Sequence, residues 1–299
     1  MPELPEVQTV VDDLNKKIKG DTIVGFESEW PKAIKGMSLA KFKKEMIGRK
    51  ISGARRIGKN IFVDLSGGKT LYIHLKMTGH LLIKSKIQIS NSKSNPNPKS
   101  KKVDYFDDRV NQYIRHTWTL KTKNHKLKTI DFSDMRKFAK IVLVDTDKVE
   151  ELPEIKKLGI DAIDRKFTLK KFEELLEKRK NKKIGLILME QELIAGIGNI
   201  YRSEILFEAG IDPGRSVKSL KKEEIKKIYI ATEKILKKAI KMRGTSDSDY
   251  RDTSGAPGNF QKVLKVYGKT GKECPRCGTI VKRETMGQRS VFYCPICQK

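Results

Sequence analysis

The chain has 299 residues, of which 64 are Lys or Arg and 37 are Asp or Glu, so its formal net charge at pH 7 is +27. This length allows two or three domains, and the charge points to a polyanionic partner, with nucleic acid favoured over an anionic membrane surface. The sequence has no run of 18 apolar residues and no signal-peptide core near its N-terminus. Membrane-spanning and secreted proteins are therefore disfavoured, and a soluble cytoplasmic protein is expected.

The first half of the chain is predicted to be mainly β-structure. Apolar residues at three- and four-residue spacing predict an amphipathic helix over 5–19. From 22 to about 147 the pattern is that of short strands, interrupted by a helix at 39–47. A clear hairpin is formed by 60–65 and 70–75 around a Ser-Gly-Gly turn. Such short strands are typical of a β-sandwich or flattened barrel, here with helices beside it.

A polar, lysine-rich stretch of low complexity occupies about 84–112. It carries too little apolar surface to order itself. We interpret it as a loop insertion that forms a solvated linker, and contact with nucleic-acid phosphates is the less favoured alternative.

The second half is predicted to be helical. Helices are expected at 169–178, 183–193, 199–209 and 220–242. A loop rich in Ser, Asp and Gly follows at 245–258. The expected domains are 1–150, 151–258 and 259–299.

All four cysteines lie in the last domain, as Cys274-x-x-Cys277 and Cys294-x-x-Cys297. Each pair can offer two thiolates on a tight turn, and the residues between the pairs can form a hairpin. One tetrahedral, structural zinc ion is therefore expected. Two disulfides and an iron–sulfur cluster are the less favoured alternatives. Arg289, at the tip of the expected hairpin, can bind a phosphate.

The N-terminus, Met-Pro-Glu-Leu-Pro-Glu, places a potential nucleophile beside two carboxylates. If Met1 is removed, Pro2 has a free secondary amine, and the reference pKa of an α-amine, about 7.7–8, lies below the value of about 10.4 for lysine. Attack of this amine on an aldehyde carbon gives an iminium that can draw electrons from the sugar. Glu3 and Glu6 are close enough to move protons. Taken alone, the same residues also describe an ordinary helix start.

Residues 195–204, Ala-Gly-Ile-Gly-Asn-Ile-Tyr-Arg-Ser-Glu, place two glycines before an expected helix. Backbone N–H groups at such a start can bind a phosphate, and Asn199 can cap the helix and donate a hydrogen bond as well. Helix capping without a ligand explains the pattern equally well.

Three of these motifs, in this order, resemble the formamidopyrimidine-DNA glycosylase family, bacterial enzymes that excise oxidised purines. They are the N-terminal Pro-Glu-Leu-Pro-Glu, residues 195–204, which are similar to the family's helix–two-turn–helix signature, and the cysteine hairpin, which is similar to its zinc finger. The resemblance covers nearly the whole chain. It implies an α+β multidomain fold: an N-terminal β-sandwich with flanking helices, a helix–two-turn–helix domain and a C-terminal zinc-ribbon β-hairpin.

The resemblance also implies an activity. It is that of a bifunctional DNA glycosylase and abasic-site lyase of base excision repair, acting on double-stranded DNA that contains oxidised bases, such as 8-oxoguanine and formamidopyrimidines, or abasic sites. A bacterial cytoplasmic enzyme that associates with the nucleoid when it acts is expected. Each motif occurs once, so one chain can suffice and a monomer is expected.

Five catalytic residues are implied by the resemblance. Pro2 would attack the anomeric carbon, Glu3 would protonate the sugar ring oxygen, and Glu6 would position water or relay protons. Lys59 would bind phosphate and serve the first elimination. Arg289 would serve the second.

Further residues are implied to hold DNA after the damaged base has been flipped out. Met77, Arg136 and Phe138 match the family's void-filling residues, because a thioether and a ring can enter the base stack and a guanidinium can pair with the orphaned base. The other expected DNA contacts are His74, His116, Arg179, Asn199 and Tyr201.

The chain departs from the family pattern at several positions. Lys76 stands where the family often has glycine. Gly185 replaces a common lysine, whose contact near the flipped nucleotide would be lost. The insertion at 84–112 is unusual.

Two other functions stay open at this point. One is that of the sister group acting on oxidised pyrimidines, the endonuclease VIII type, which Leu4, Arg136 and Phe138 disfavour. The other is a non-catalytic zinc-ribbon protein that only binds DNA, which the intact Pro2, Glu3 and Lys59 disfavour.

Overall fold

The computed structural model of the protein describes residues 1–85 and 105–299, and the chain divides into two compact units. The first contains Met1–Pro2, Glu6–Leu152 and Arg243–Gly258. The second contains Glu3–Pro5, Pro153–Met242 and Asn259–Lys299. Within the described residues, no helix combines the length and the apolar composition needed to cross a bilayer.

Within the described residues, the first unit has nine strands in two sheets. The strands are β1 Thr22–Ser28, β2 Ile34–Lys35, β3 Ile51–Ile57, β4 Asn60–Leu65, β5 Lys69–His74, β6 His80–Ser85, β7 Ile114–Lys121, β8 Leu127–Ser133 and β9 Lys140–Asp145. One sheet has the order β1-β7-β8-β6 and the other β2-β9-β5-β4-β3. Neighbouring strands are antiparallel except for β2 and β9. Two helices accompany them, α1 Leu4–Ile18 and α2 Leu39–Met46.

The two sheets share one apolar core. Alternate residues of a strand point to the same face, so Ile61 and Val63 of β4 enter the core together with Trp118 and Leu120 of β7. The apolar stripe of α1, which includes Val10, packs into this core. Full burial of one such side chain stabilises the fold by about 1.5–3 kcal/mol. The predicted β-sandwich with flanking helices is confirmed.

The second unit is mainly helical. Its helices are α3 Pro153–Lys156, α4 Leu169–Glu177, α5 Ile184–Ile187, α6 Asn199–Ala209 and α7 Lys222–Lys241. Two short strands, β10 Ile160–Asp161 and β11 Ile194–Ala195, pair in parallel, and β12 Lys282–Met286 and β13 Arg289–Tyr293 form an antiparallel hairpin. Helix α6 is buried from Ile200 to Phe207 and forms the centre of the helical core.

One predicted helix is shorter than expected. The segment 183–193 is helical only over α5, because the chain turns after Ile187 and then enters β11. The side chain of Gln191 supports this turn, accepting a hydrogen bond from the N–H of Gly196 at 3.0 Å and donating one to the carbonyl of Ile197 at 2.8 Å. An amide that bonds local backbone in this way competes with helix formation.

The segment 243–258 differs from its expected domain. It is a loop, as predicted, but it belongs to the first unit, where Arg243 pairs with Asp13 and the carbonyl of Thr253 accepts from the N–H of Ile83. These contacts are made across long sequence separations, and the sequence pattern does not signal them.

Most of the predicted insertion at 84–112 lies outside the described residues. Its two described ends form regular structure, not the solvated linker that was expected. Residues 84–85 complete β6, and two 3-10 turns, Tyr105–Asp107 and Arg109–Gln112, follow at the other end. Asn111 is buried and donates hydrogen bonds to the carbonyls of Tyr105 and Gly255.

Candidate active site and nucleic-acid interface

The N-terminus lies at an open groove of the first unit. Met1 is 39 % exposed and lines this groove, whose volume is about 760 Å³, while Pro2 is buried. The other lining residues are Trp30, Lys32, Ala33, Lys35, Lys76, Met77, Lys137, Phe138, Ala139 and Lys140. Because the nitrogen of Pro2 is bonded to Met1, removal of Met1 would leave that nitrogen at the wall of a groove that carries five lysines.

Glu3 is fixed by the backbone at the start of α6. Its carboxylate is almost fully buried and accepts hydrogen bonds from the N–H groups of Gly198 at 2.7 Å, Ile200 at 2.9 Å and Tyr201 at 3.4 Å. The expectation that these donors lie open to a phosphate is therefore wrong, since a carboxylate of the same chain occupies them. The positive end of the helix dipole favours this arrangement.

The two glycines of this motif make room for the N-terminus. Leu4 donates its N–H to the carbonyl of Gly196 at 3.0 Å, and a Cβ at Gly196 would lie 2.5 Å from the Leu4 side chain. A Cβ at Gly198 would lie 2.3 Å from the Glu3 carboxyl carbon. The Gly-Ile-Gly segment thus receives residues 3 and 4.

Asn199 is not the helix cap that the sequence suggests. Gly198 occupies the cap position, and Asn199 begins α6. The Oδ1 of Asn199 accepts a hydrogen bond from Arg202 at 2.5 Å, which leaves its Nδ2 to donate.

Glu6 is held by the loop that follows α7. Its Oε1 accepts the N–H of Thr245 at 2.7 Å, and the side chain is 1 % exposed. The hydroxyl of Tyr250, which is also buried, lies 3.5 Å from the carbonyl oxygen of Glu6. The sequence analysis did not predict this relationship.

Arg243 anchors the same loop. Its guanidinium donates to Asp13 at 2.6 Å and to Asp252 at 2.7 Å, and Thr253 donates to Asp13 at 2.6 Å. Burial raises the pKa of Asp13, but the hydrogen bonds from Arg243 and Thr253 outweigh it, so that this pKa lies below its usual range. The loop is therefore tied to α1 by a charged network.

Lys59 lies in the tight turn between β3 and β4. Gly58 before it has φ +58°, and its carbonyl accepts a hydrogen bond from Arg56 at 3.2 Å. Lys59 is 7 % exposed, which is unusual for a lysine in a hairpin turn. Burial therefore distinguishes Lys59 from the exposed lysines of the chain.

The predicted void-filling residues lie on two loops of the groove. Met77 is 36 % exposed and Phe138 54 % exposed, and the guanidinium of Arg136 lies 4.8 Å from the centre of the Phe138 ring. The hydroxyl of Thr78 joins the loops, because it accepts the N–H of Arg136 at 3.1 Å and donates to Asp134 at 2.5 Å. Exposed apolar side chains on braced loops are suited to entering a base stack.

Each of these loops contains a lysine in the left-handed region. Lys76 has φ +54° and Lys137 φ +59°. Glycine adopts this backbone conformation more readily than a residue that carries a Cβ. His74 shapes the first loop, since its Nδ1 accepts the N–H of Lys76 at 2.9 Å.

Two of the predicted DNA contacts have buried side chains in this structure. His116 is 2 % exposed and stacks on Phe26 inside the sandwich, where burial lowers its pKa to about 4. Tyr201 is fully buried against Phe260. Their residue types suit DNA binding, but tertiary packing removes both from the surface.

Arg179 is half-exposed and already has a partner. Its Nε lies 3.4 Å from Glu190, which also accepts from Lys182 at 2.7 Å. A phosphate would compete with this carboxylate for Arg179.

The expected loss of a lysine contact at Gly185 has a structural cause. Gly185 lies in α5, and a Cβ there would be 2.9 Å from the Met286 sulfur and 2.9 Å from the Pro213 carbonyl oxygen. A lysine side chain at position 185 would therefore require Met286 and Pro213 to shift.

The four cysteines form a site for one structural zinc ion. None is in a disulfide, and their sulfur atoms all lie within 4.8 Å of one another. The distances from Cys274 to Cys297 and from Cys277 to Cys294 are 3.8 and 3.5 Å. Tetrahedral zinc–thiolate bonds of about 2.3 Å require sulfur atoms about 3.8 Å apart, so the four sulfurs fit the ion.

The hairpin above this site presents Arg289. Its two strands turn through Gly287 and Gln288, both with positive φ, and Arg289 is exposed at the start of β13. The backbone N–H groups of Lys265, Val266 and Tyr267 donate to the buried carboxylate of Glu204, which links α6 to the chain entering the finger.

Three family models match the chain. They are the formamidopyrimidine-DNA glycosylase N-terminal domain over residues 1–141, the formamidopyrimidine-DNA glycosylase H2TH domain over 158–251, and the zinc finger found in FPG and IleRS over 271–299. Among curated proteins, the formamidopyrimidine-DNA glycosylase of Carboxydothermus hydrogenoformans is 38% identical, with 100% of both chains covered. That of Pelotomaculum thermopropionicum is 37% identical, with 100% of this chain and 99% of the relative covered.

Solved structures show the same similarity. The complex of Lactococcus lactis Fpg with DNA containing an abasic site matches with a TM-score of 0.82 at 32% identity, covering 99% of each chain. A complex of a mutant of that protein with Fapy-dG-containing DNA matches with a TM-score of 0.82 at 32% identity over 100% of both chains. A third, with DNA containing an oxidised pyrimidine, has a TM-score of 0.81 at 32% identity, again over 100% of both chains.

Proposed function

The chain belongs to the formamidopyrimidine-DNA glycosylase family, DNA glycosylases that act on damaged DNA, and from this premise we propose that it is a bifunctional glycosylase and abasic-site lyase. Its proposed substrates are 8-oxoguanine and formamidopyrimidines in double-stranded DNA, together with abasic sites. The observation that carries the proposal is the position of Pro2, whose nitrogen would lie at the wall of a lysine-lined groove once Met1 is removed.

The proposed reaction begins with the Pro2 amine. Its lone pair attacks the anomeric carbon, the glycosidic bond breaks, and the damaged base leaves with the bonding electrons and takes up a proton. The Pro2 nitrogen then loses its proton, and its lone pair opens the sugar ring. The ring oxygen takes up a proton, which leaves an iminium between Pro2 and the former anomeric carbon. Glu3 is the proposed proton donor, and three backbone donors fix the position of its carboxylate.

Strand cleavage follows from the iminium. Loss of a proton from the adjacent sugar carbon lets the 3′ phosphate leave with its bonding electrons, and a second proton loss releases the 5′ phosphate. We assign Lys59 to the first elimination and Arg289 to the second, and Glu6 to positioning water or relaying protons. Hydrolysis of the remaining iminium regenerates the amine.

The groove supports a base-flipping reaction. Removal of a base from duplex DNA requires its extrusion, which costs a few kcal/mol of stacking and pairing. Met77 and Phe138 are exposed on loops braced by Thr78 and would fill the void, and Arg136 would face the orphaned base. His74, Arg179 and Asn199 are the proposed backbone contacts.

The zinc site has a supporting role in this proposal. Four protein ligands leave no open coordination position, so the ion would stabilise the finger rather than take part in the reaction. The finger in turn would present Arg289 to the DNA backbone. A single chain in the bacterial cytoplasm, associated with the nucleoid when it acts, completes the proposed picture.

Borohydride trapping tests the central step. The protein is incubated with a duplex that carries one abasic site, and sodium borohydride then reduces the iminium to a stable covalent adduct. We expect an adduct that mass spectrometry maps to Pro2 and that Pro2→Gly abolishes or nearly abolishes. Persistent duplex binding without any adduct would instead support a protein that only binds DNA.

A panel of lesion-bearing duplexes tests the substrate class. We expect excision of oxidised purines to exceed that of oxidised pyrimidines. The opposite ranking would favour the endonuclease VIII type of activity. Detection of Met1 on the active protein would contradict the proposed role of Pro2.

A further inference from the structure

Arg202 on α6 is a fully buried arginine in the second unit. Its guanidinium donates to three neutral oxygens: Oδ1 of Asn199 at 2.5 Å, the carbonyl of Ser290 at 2.9 Å and the carbonyl of Gly185 at 3.3 Å. Its Nε is buried and has no hydrogen-bond partner in the described part of the chain. A buried charge that bonds only to neutral groups is costly, so its retention calls for an explanation.

The three acceptors lie on three different elements. Asn199 begins α6, Gly185 lies in α5, and Ser290 lies in β13 directly after Arg289. One planar guanidinium therefore fixes the distance between the start of α6 and the hairpin. Arginine suits this task because its donors form a rigid fork.

The hydrogen bond to Asn199 determines which way the amide points. Because Oδ1 accepts from Arg202, the amide must present Nδ2 as its other polar group. Nδ2 is a donor, which is the type of group that binds a phosphate oxygen. Without Arg202, the two amide orientations would become similar in energy.

The charges around Arg202 also favour an anion. Burial lowers its pKa to about 10, with Glu3 acting in the opposite direction and Arg289 in the same direction, so Arg202 stays charged at neutral pH. The hydrogen bond from Arg202 to the carbonyl of Ser290, the residue after Arg289, brings two positively charged residues near each other. A phosphate that approached Arg289 and Asn199 would reduce the repulsion between Arg289 and Arg202.

We propose that Arg202 is a positioning residue that holds the Asn199 amide and the hairpin of Arg289 as one phosphate-binding unit. The proposal rests on the proposed function for the roles of Asn199 and Arg289. It adds a residue that does not itself touch DNA and whose loss would affect both of them.

The first test is a thermodynamic cycle on DNA affinity. The dissociation constant for an uncleavable duplex, with a tetrahydrofuran abasic-site analogue, is measured for the parent, Asn199→Ala, Arg202→Met and the double variant. We expect Asn199→Ala to weaken binding about tenfold in the parent background and less than about threefold in the Arg202→Met background. Equal effects in the two backgrounds would overturn the proposal. This test does not depend on catalysis.

The second test compares the two eliminations. With an abasic-site duplex, Arg202→Met is expected to retain borohydride trapping while the ratio of second to first elimination products falls about tenfold, because Arg289 loses its position. Arg202→Lys should recover part of that ratio, since lysine keeps the positive charge and one donor nitrogen. An unchanged ratio in both variants would contradict the proposal.

Arg215→Met serves as the matched control. Arg215 also lies in the second unit and makes several hydrogen bonds, to Glu224, Ser219 and Lys299. Its loss should lower thermal stability without changing the product ratio or the coupling to Asn199. If the parent protein itself gave no adduct, the proposed lyase function would fail, and the affinity cycle would still decide the role of Arg202.

Discussion

The carboxylate of Glu6 accepts a hydrogen bond from the backbone N–H of Thr245 at 2.7 Å, although the two residues are 239 positions apart in the sequence. Gly244, directly before Thr245, has φ +78°, and a Cβ built there would lie 2.7 Å from Oε1 of Glu6. Both the left-handed backbone and the close approach favour glycine at this position. The location of Glu6 therefore depends on the loop that follows α7 as much as on its own helix.

Gly244→Ala should displace Glu6 and slow base excision. The added methyl group meets the carboxylate, and a shift of about 1 Å in a catalytic group can cost up to about a hundredfold in rate. Gly48→Ala is the control, since Gly48 has φ +89° with nothing within 4 Å of the built Cβ. Each variant should lose about 1–2 kcal/mol of stability from the left-handed backbone. Single-turnover excision should fall in Gly244→Ala alone, and equal rates for the two variants would argue against this role of the loop.

Asp13→Asn should make the free energy of unfolding depend less on pH in the acidic range. The folded-state pKa of Asp13 lies below its usual value, so its contribution is complete above the unfolded pKa of about 3.9 and is lost as the pH falls through the folded value. At pH 7 we expect Asp13→Asn to cost about 2 kcal/mol, because Arg243 loses one of its two carboxylates. The difference should shrink as the pH falls through the folded-state pKa of Asp13. Urea unfolding between pH 2 and 7 measures it.

Asp12→Asn provides the comparison for that experiment. Asp12 is the exposed neighbour on α1, and its side chain accepts a hydrogen bond from the side-chain amide of Gln8 on the exposed face of the helix. Its replacement should change stability by less than about 0.5 kcal/mol at any pH. A loss at Asp13 that persisted unchanged at pH 2 would show that packing, not charge, is responsible.

The sequence predicted the elements whose signals are local. The stripe in α1, the cysteine pairs and the hairpin of β4 and β5 each follow from spacing within a few residues, and each is confirmed. The length of α5 was overestimated, because an apolar run with helical spacing does not reveal where Gln191 redirects the chain. Local pattern thus gives the type of an element more reliably than its end.

The candidate site was predictable only where residue type and motif suffice. Burial of His116 and Tyr201 is decided by packing, which one sequence does not reveal. Thr245 donates its backbone N–H to Glu6. Every residue except proline carries this group, so the residue type at position 245 could not predict the contact. Gly198 was recognisable as a glycine before a helix. The carboxylate that it accommodates belongs to Glu3, far away in the sequence, and could not be predicted from the motif.

The pair formed by Asp108 and Arg251 should hold the loop 243–258 against the end of the insertion. Their charged atoms are 2.8 Å apart, and the side chains of Arg251 and Asp108 are 13% and 28% exposed. A double-mutant cycle with Asp108→Asn and Arg251→Gln should give a coupling of about 1–2 kcal/mol in the free energy of unfolding. The exposed pair Lys171–Glu174 is the reference, with an expected coupling of about 0.3 kcal/mol. Equal couplings for the two pairs would remove the reason to regard Asp108 as an anchor.

Cys294→Ser should release zinc and weaken DNA binding. Loss of one of four thiolates opens the site, and structural zinc contributes about 10–16 kcal/mol of binding energy to small domains of this kind. The hairpin that carries Arg289 would then lose its support. Elemental analysis should find less than one zinc per chain, and affinity for an undamaged duplex should fall. Full zinc content in the variant would rule out Cys294 as a ligand.

Lys76→Gly should be more stable than Lys76→Ala by about 1 kcal/mol. Lys76 has φ +54°, a conformation that costs a residue with a Cβ about 1–2 kcal/mol and glycine almost nothing. Both variants lose the same positive charge, so the difference between their free energies of unfolding reports the backbone alone. Lys35, exposed in β2 of the same groove, should show the opposite order, because glycine weakens a strand.

If Lys76 also contacts a phosphate, both of its variants should lower the slope of log affinity against log salt by about 1. Denaturant unfolding and salt titrations would measure the two effects separately, and an Ala variant as stable as the Gly variant would show that the loop relaxes out of the left-handed conformation.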